Sequence, residues 1–254
     1  MDQYLGESAV PLWLDSQWTN RSYYIVLIYI ALVFTGQKAM KGRPAFDLKP
    51  LLVLWNAGLA IFSFLGAYYT IPELWSSLSK GGLYGSYCVV GDQFKGASGL
   101  FQWLFMWSKL VELGDTAFLV LRKRPIIFLH WYHHSVVVLY AMYCYQFEEA
   151  SSRWGATMNL FVHAFMYTYY CCKALGIFVP KAISIAITSS QLMQMVVGSV
   201  ICSLVLHTIM LKRPCAVRPQ AALIQWLMYL SFFVLFADLF RKMYLSKRSL
   251  KKQT

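Results

Sequence analysis

Seven long apolar runs alternate with short polar segments along the chain. A helix needs about 20 mainly apolar residues to cross a bilayer, and each run approaches that length, the first being the shortest. The glycine-rich stretch 71–99 interrupts the pattern and predicts a loop, because clustered glycines favour turns. The predicted membrane-spanning helices are residues 23–38, 50–69, 100–121, 126–147, 154–172, 182–206 and 222–240.

The simplest fold for these runs is an all-α membrane protein. We expect seven transmembrane helices in one compact bundle, with residues 1–254 forming a single polytopic domain. The sequence shows no clear internal repeat that would suggest a division. The first residues include Asp2, Glu7 and Asp15 rather than a basic cluster, so we expect no cleavable signal peptide.

The composition fits this fold. The chain is 58% hydrophobic and only 13% charged, whereas soluble domains carry about 25% charged residues. The six cysteines lie mostly within apolar runs and lack the spacing of a disulfide framework, which argues against a disulfide-stapled secreted domain. We expect Cys144, Cys171 and Cys172 to be packing residues.

The charge is unbalanced, with 23 Lys and Arg against 11 Asp and Glu and a formal net charge of +12. In a soluble chain this excess suggests a nucleic-acid partner. Here the basic residues lie between apolar runs, which indicates an anionic membrane surface instead. We therefore expect no nucleic-acid partner.

The basic residues also predict the orientation of the chain. If the chain crosses the membrane seven times, 15 basic residues lie on one side, and the positive-inside rule assigns that side to the cytosol. The N-terminal segment 1–22 is then luminal, because the other side has seven basic and seven acidic residues. The cytosolic set is Lys38, Lys41, Arg43, Lys49, Arg122, Lys123, Arg124, Lys173, Lys181 and six residues of the basic tail 241–254.

Two short motifs bear on location. The sequon Asn20-Arg21-Ser22 lies on the luminal side almost against the first span, which leaves its glycosylation open. The chain ends Lys251-Lys252-Gln253-Thr254, which resembles the dilysine retrieval signal of endoplasmic-reticulum membrane proteins, although a basic tail can end this way by chance. The cytosolic tail predicted above makes the endoplasmic reticulum membrane the expected location.

Charged residues within the third span are candidate functional groups, because ionisable side chains in a membrane are costly. Lys109, Glu112 and Asp115 follow each other at i, i+3 and i+6, so they can pair on one helix stripe facing the bundle. A structural ion-pair network that orients the helices is an alternative, and the two roles are compatible.

The next three spans add a concentrated polar set. His130, His133 and His134 crowd one helix face within about one turn. At about 1.5 Å per residue, these groups and those of the neighbouring spans lie in one layer in the cytosolic half of the bilayer. The pattern predicts a single buried site open to the cytosol. Its further members are Asn159, His163, Tyr167 and Tyr170 on the fifth span, and Thr188, Gln191 and Gln194 on the sixth.

Two kinds of chemistry use clustered imidazoles. A zinc ion held by His130, His134 and His163 is possible by ligand type, whereas five histidines fall short of the roughly eight in diiron histidine-box enzymes. The alternative is nucleophilic or general-base catalysis beside hydrogen-bond donors that stabilise an oxyanion. Since the cysteines lack a clear histidine partner by spacing, a thiolate nucleophile is disfavoured.

Four motifs in order carry a resemblance to a known family. The chain resembles the very-long-chain fatty acid elongases, the membrane 3-ketoacyl-CoA synthases of the endoplasmic reticulum. The combination is highly specific, although each motif alone is weak to moderate, and the hydrophobic layout matches over nearly the whole chain. The motifs are Lys109-x-x-Glu112-x-x-Asp115-Thr116, His130-x-x-His133-His134, Asn159-x-x-x-His163-x-x-Met166-Tyr167-x-Tyr169-Tyr170 and Thr188-x-x-Gln191-x-x-Gln194.

The resemblance implies an acyltransferase that joins a long-chain acyl-CoA to malonyl-CoA. A 3-ketoacyl-CoA two carbons longer remains, and CO2 and CoA leave. The family is thought to use a histidine-linked acyl intermediate, with no bound cofactor or metal and with malonyl-CoA as co-substrate. On this basis His133 is the expected nucleophile, with His163 as its closest partner. His130 and His134 would orient or deprotonate, Lys109, Asn159 and Gln191 would polarise oxygens, and Glu112, Asp115, Tyr167, Tyr170 and Gln194 would support them.

The resemblance also bears on substrates and partners. Basic residues at the cytosolic mouth would suit CoA phosphates, or they reflect the positive-inside rule alone. Pro125 stands where the polyunsaturated branch usually has Gln, so saturated or monounsaturated chains are favoured. Expected partners are the reductases and dehydratase of the elongation cycle, with a homo-oligomer possible. The candidate CoA-binding residues are Arg122, Lys123, Arg124 and Lys181.

Two other classes of function stay open on the residues alone. One is a seven-helix lipid receptor or transporter, whose polar layer would be a ligand or ion pathway. The other is a metal-dependent membrane lipid enzyme, which a chelator would inactivate. A receptor or transporter would release no carbon dioxide, whereas an elongase would. A chelator would inactivate a metal-dependent enzyme, whereas it would leave an elongase active.

Overall fold

The computed structural model describes residues 17–246, and in this part of the chain the regular structure is entirely helical. The all-α prediction is therefore confirmed for these residues. The elements are α1 (Trp18–Met40), α2 (Lys49–Cys88), α3 (Gly96–Val111), α4 (Gly114–Leu121), α5 (Phe128–Gln146), α6 (Ser152–Leu175), α7 (Lys181–Met210) and α8 (Pro219–Phe240), followed by a π-helical turn, Arg241–Leu245.

The outer surface is that of a membrane protein. Four helices of the described segment are long and apolar enough to cross a bilayer: α1, α2, α7, and α8 with its π turn. Large apolar side chains such as Leu27, Leu54 and Val234 are more than 60% exposed. The polar residues of the predicted site lie mainly on α3, α5 and α6 instead.

The predicted loop 71–99 was wrong over most of its length. Helix α2 continues through Pro72 and ends at Cys88, and only residues 89–95 separate it from α3. Gly82 alone departs from helical geometry inside α2, with φ 62° and ψ −167°, and it kinks the helix. Its positive φ is a conformation that glycine adopts without steric cost, so the glycine cluster marked a kink rather than a loop.

The predicted third span is interrupted rather than continuous. α3 ends at Val111 and α4 begins at Gly114, and the amides of Leu113, Asp115 and Thr116 bond the carbonyl three residues earlier. Such tight turns change the helical register, so Glu112 and Asp115 no longer share one stripe. Gly114 is required there, since a Cβ would lie 2.6 Å from the ring of Trp55.

The cysteine spacing, which argued against a disulfide framework, did not indicate the disulfide that the structure contains. Cys88, at the end of α2, is bonded to Cys215, just before α8. The two residues are 127 positions apart, and such a distant pairing leaves no local spacing signal. Cys144, Cys171, Cys172 and Cys202 are free thiols.

Buried charges close the same end of the bundle. Arg153 has no exposed surface; it pairs with Glu73 at 3.0 Å and donates to Gln93 and to the carbonyls of Val89 and Val90. These contacts fix the 89–95 segment against α2 and α6.

A second ion pair lies beside it. Glu149, between α5 and α6, accepts hydrogen bonds from the backbone and side chain of Arg218 at 2.9 and 2.7 Å. Burial raises the pKa of the Glu149 carboxyl, and the bonds from Arg218 act against that rise. The disulfide and this ion pair tie the start of α8 to the ends of α2 and α5.

The terminal predictions are only partly described. Asn20 is exposed in the first turn of α1, and Ser22 of the same sequon is buried. The tail is described to residue 246, so Lys251 and Lys252 lie outside the described residues, as do Asp2, Glu7 and Asp15. Both the luminal and the cytosolic assignments remain predictions.

Candidate active site

A large cavity lies at the end of the bundle where α4 and α6 end and α7 begins. It encloses about 2070 Å³ of empty space, part of it open to solvent. All four clustered histidines line it, and the other predicted site residues on its wall are Asp115, Arg122, Asn159, Tyr167, Tyr170, Thr188, Gln191 and Gln194.

A second, mainly apolar cavity of about 670 Å³ extends towards the opposite end of the bundle. Its walls come from α3, α5, α6, α7 and α8, and it reaches Cys144 and Ser152. The residues that line both cavities are His133, Asn159, Gln194 and Met195. His133 therefore lies at the boundary between a wide cavity, whose wall carries the clustered histidines, and a narrow apolar one.

The three histidines of α5 form a cluster of rings that pack at an angle to one another. The ring centroids of His130 and His134 are 4.5 Å apart, and those of His133 and His134 are 5.5 Å apart. His133 also packs against Phe232 at 4.8 Å. Within residues 17–246 no side chain hydrogen-bonds the imidazole of His133, so its nitrogens are available to a molecule in the cavities.

His163 belongs to a closed network of polar groups. Lys109 donates to Glu112 Oε1 at 2.7 Å and to Asn159 Oδ1 at 2.8 Å. The amide nitrogen of Asn159 lies 3.1 Å from His163 Nε2, and His163 Nδ1 lies 3.8 Å from Glu112 Oε2. Because an amide NH2 only donates, His163 accepts at Nε2 and carries its proton on Nδ1, towards the Glu112 carboxylate. The network fixes the orientation of the imidazole.

The predicted pairing within the third span occurs only between Lys109 and Glu112, both almost fully buried. Asp115 joins a separate network instead. Its carboxylate accepts hydrogen bonds from Trp55 Nε1 at 2.6 Å and from the Tyr167 hydroxyl at 2.8 Å. The break after Val111 turns the two carboxylates to different neighbours, one towards His163 and the other towards the α2 and α6 wall.

The four candidate CoA-binding residues have different environments. Arg122 lines the large cavity. Lys123 donates to the backbone carbonyls of Lys41 and Arg43, and neither Arg124 nor Lys181 is among the described residues that line a cavity. Lys173, which sequence reasoning assigned to the cytosolic charge count only, lines the large cavity near Arg122. Contact between any of them and CoA remains a prediction.

Sequence reasoning missed two further residues at the site. Thr116 lies 2.9 Å from His130 Nε2, and Tyr29 of α1 bonds Thr116. Thr116 was visible as the last letter of the first motif, whereas nothing in an apolar first span distinguished Tyr29 from its neighbours. As to metals, residues 17–246 contain no group of three or more His, Cys, Asp or Glu side chains arranged to hold an ion.

Comparison with known proteins shows what the chain is similar to. The family described as ELO: GNS1/SUR4 matches residues 13–252. Long chain fatty acid elongase 2 of Caenorhabditis elegans is 42% identical over 234 residues, covering 90% of this chain and 84% of the relative. Very long chain fatty acid elongase 6 of Drosophila melanogaster is 44% identical over 240 residues, covering 92% and 75%. Very long chain fatty acid elongase 3 of Homo sapiens is 39% identical over 231 residues, covering 91% and 85%.

Proposed function

The chain belongs to the ELO: GNS1/SUR4 family of fatty acid elongases, and from this premise we propose that it catalyses the condensing step of elongation. A long-chain acyl-CoA and malonyl-CoA would give a 3-ketoacyl-CoA two carbons longer, with release of CO2 and CoA. The observation that carries the proposal is the position of His133 on the walls of both cavities. The narrow apolar cavity suits an acyl tail, and the large cavity, whose wall carries the histidines and Arg122, suits a thioester and its CoA.

The first half-reaction transfers the acyl group to His133. A ring nitrogen attacks the thioester carbonyl, so that a C–N bond forms, the C–S bond breaks, and CoA leaves as the thiol with the imidazole proton. The second half-reaction begins when malonyl-CoA loses CO2, whose bonding electron pair forms an enolate. That carbon attacks the acyl-histidine carbonyl, a C–C bond forms and the C–N bond breaks. The departing imidazole nitrogen of His133 takes up one proton from solvent, carried by His163, and the neutral His133 is regenerated.

The neighbouring residues have distinct roles in this scheme. Asn159 and Gln191 line the large cavity and would donate to a developing oxyanion. Lys109 lines neither cavity of the described part, so it would act through Asn159, whose amide oxygen it holds. His163 would serve as proton carrier beside His133, with its ring fixed by Asn159 and Glu112. Tyr167, Tyr170, Asp115 and Gln194 would shape the wall.

A seven-span arrangement in the endoplasmic reticulum membrane is part of the proposal. α3 and α4 together would form one crossing, and the other six long helices one each. The Cys88–Cys215 disulfide supports the orientation independently of the charge count, because disulfides persist in oxidising compartments. Its end of the bundle would face the lumen, and the end with Arg122 and Lys173 would face the cytosol.

The substrates follow from the mouth and the tunnel. Arg122 and Lys173 would bind CoA phosphates at the entrance, with Lys123, Arg124 and Lys181 contributing positive charge nearby. Saturated or monounsaturated acyl chains are proposed on the Pro125 criterion. The proposed reaction needs no bound cofactor or metal, and its product would pass to the reductases and dehydratase of the cycle.

The experiment uses purified protein, a palmitoyl-type acyl-CoA and labelled malonyl-CoA, without NADPH. We expect a 3-keto product two carbons longer and labelled CO2 release, with unchanged rate after chelation. With acyl-CoA alone, CoA should be released once per site. His133→Ala should abolish both, whereas His207→Ala, a histidine in the last turn of α7 away from both cavities, should leave them unchanged. A receptor or transporter would give no product, and a folded His133→Ala variant with normal turnover would remove the proposed nucleophile.

A further inference from the structure

A chain of two hydroxyl groups connects α1 to the histidine cluster of α5. The Tyr29 hydroxyl lies 2.7 Å from Thr116 Oγ1, and the same oxygen lies 2.9 Å from His130 Nε2. Tyr29 is 7% exposed and Thr116 is 2% exposed, so water does not compete for these bonds. α1 otherwise packs against α4 and α5, and Tyr29 is linked through Thr116 to a site histidine.

The direction of the two bonds follows from the proton inventory. A threonine hydroxyl donates one hydrogen and accepts others, while the phenol of tyrosine is more acidic and therefore the better donor. Thr116 is the hydrogen-bond partner of the Tyr29 hydroxyl within residues 17–246. If Tyr29 donates to Thr116, the Thr116 hydrogen is directed to His130 Nε2, which then accepts and has its proton on Nδ1. The reverse direction would leave the phenol hydrogen without an acceptor in a buried position, which is costly.

Among the described residues, no charged side chain takes the place of Thr116 as the hydrogen-bond partner of His130 Nε2. Asp115, next to Thr116, is the nearest carboxylate in sequence, and its two oxygens accept from Trp55 and Tyr167. The other neighbouring ring is His134, whose centroid is 4.5 Å from that of His130. The Nδ1 hydrogen of His130 is thus left for the cavity or for His134.

We propose that Tyr29 is a positioning residue of the active site, which acts through Thr116 to keep the His130 proton on Nδ1. His130 then works as a hydrogen-bond donor, not as the base that removes a proton. This assignment separates it from His133, whose ring nitrogens have no partner in the described part of the chain. The inference rests on the proposed condensing activity for its kinetic test, but its spectroscopic test does not.

The kinetic test compares variants that remove one hydroxyl each. Thr116→Val should lower kcat about tenfold, the scale of one lost hydrogen bond, with KM within twofold of wild type. Tyr29→Phe should lower kcat about threefold to fivefold, because Thr116 can still donate but is no longer directed. Thr116→Ser, which keeps the hydroxyl, should stay within twofold of wild type. Tyr24→Phe, an exposed tyrosine on the same helix, is the matched control and should not change kcat.

Coupling between the two positions is the sharper readout. Because Tyr29 acts only through Thr116, the double variant Tyr29→Phe/Thr116→Val should be no slower than Thr116→Val alone. A loss of kcat in the double variant equal to the product of the two single losses would overturn the proposal. An equal loss of kcat in Thr116→Ser and Thr116→Val would also overturn it. If Thr116→Val does not fold, the loss of kcat in Tyr29→Phe relative to Tyr24→Phe still tests the proposal.

The second test reads the tautomer directly. Protein labelled with 15N-histidine contains five histidines, so the Nδ1 and Nε2 signals of His130 can be assigned by comparison with a His130→Gln variant. We expect a protonated Nδ1 and an unprotonated Nε2 in wild type and Thr116→Ser, and a redistribution towards protonated Nε2 in Tyr29→Phe. An Nε2-protonated His130 in wild type would refute the inference. Failure of the wild type to form 3-keto product would instead refute the proposed function and leave this measurement valid.

Discussion

Gly155 offers a direct test of the narrow cavity as the acyl-chain site. It lies on the α6 wall, one turn N-terminal to Asn159 and three residues C-terminal to Ser152, the first residue of α6, which lines the far end of the cavity. A Cβ at Gly155 would lie 3.2 Å from the Tyr229 hydroxyl and 3.6 Å from Gln225 Nε2. A leucine there would therefore project into the gap before the cavity ends and close the part beyond it.

The expected size of the effect follows from the length of cavity that is lost. Three helical residues from Gly155 to Ser152 span about 4.5 Å. With carbon–carbon bonds of about 1.5 Å, that length holds about three methylene groups. Burial of each is worth about 0.8 kcal/mol, or about 2.4 kcal/mol in total. Gly155→Leu should thus lower kcat/KM for an acyl-CoA that fills the cavity about 50-fold relative to one that is three or four carbons shorter.

The assay is competition between saturated acyl-CoAs of increasing length with labelled malonyl-CoA, followed by product analysis. Gly155→Ala should shift the optimum less, and it remains informative if the leucine variant does not fold. Gly58→Leu is the matched control, since a Cβ there meets open space on α2, and it should leave the profile unchanged. A folded, active Gly155→Leu enzyme with the wild-type chain-length profile would refute the assignment of the narrow cavity to the acyl tail.

Three further predictions concern the elements that hold the site. Lys109→Met should lower the free energy of unfolding by about 3–5 kcal/mol, because Glu112 is left as an unpaired buried charge. Adding Glu112→Gln to this variant should recover part of the loss of Tm. A double variant whose loss of Tm equals the sum of the two single losses would contradict this explanation. Maleimide labelling of the denatured protein should modify four cysteines before reduction and six after it, and loss of Cys88 or Cys215 should lower Tm equally, alone or together. Gly114→Ala should cost about 1–3 kcal/mol by overpacking, since its Cβ would lie 2.6 Å from an indole ring; an unchanged Tm would show that the ring relaxes freely.

Local patterns predicted the helices because they depend on contiguous residues. The apolar runs located most of the helices, and helical spacing predicted that His130, His133 and His134 share one face. They line the same cavity. Side-chain type also favoured the Lys109–Glu112 pair, which requires only neighbouring turns of one helix.

What the sequence did not reveal depends on distant contacts. The Cys88–Cys215 pair joins positions 127 residues apart, and Tyr29 meets Thr116 across 87 residues. The continuation of α2 through Pro72 and the break at Gly114 were missed for a related reason. Both features depend on packing between distant parts of the chain. Helix α2 packs along α6, as in the contact between Gly66 and Leu160, and Gly114 leaves room for the ring of Trp55.

The wall shared by the two cavities separates two kinds of position for protein engineering: those that affect both the reactive centre and the acyl tail, and those that affect the tail alone. His133, Asn159, Gln194 and Met195 face both spaces, so a substitution there alters the reactive centre and the tail together. Positions that face only the narrow space, such as Gly155 and Ala141, carry no such coupling. Under the proposed function, product length can be retuned at those positions while the chemistry is left intact, and the four shared residues set the limit of that freedom.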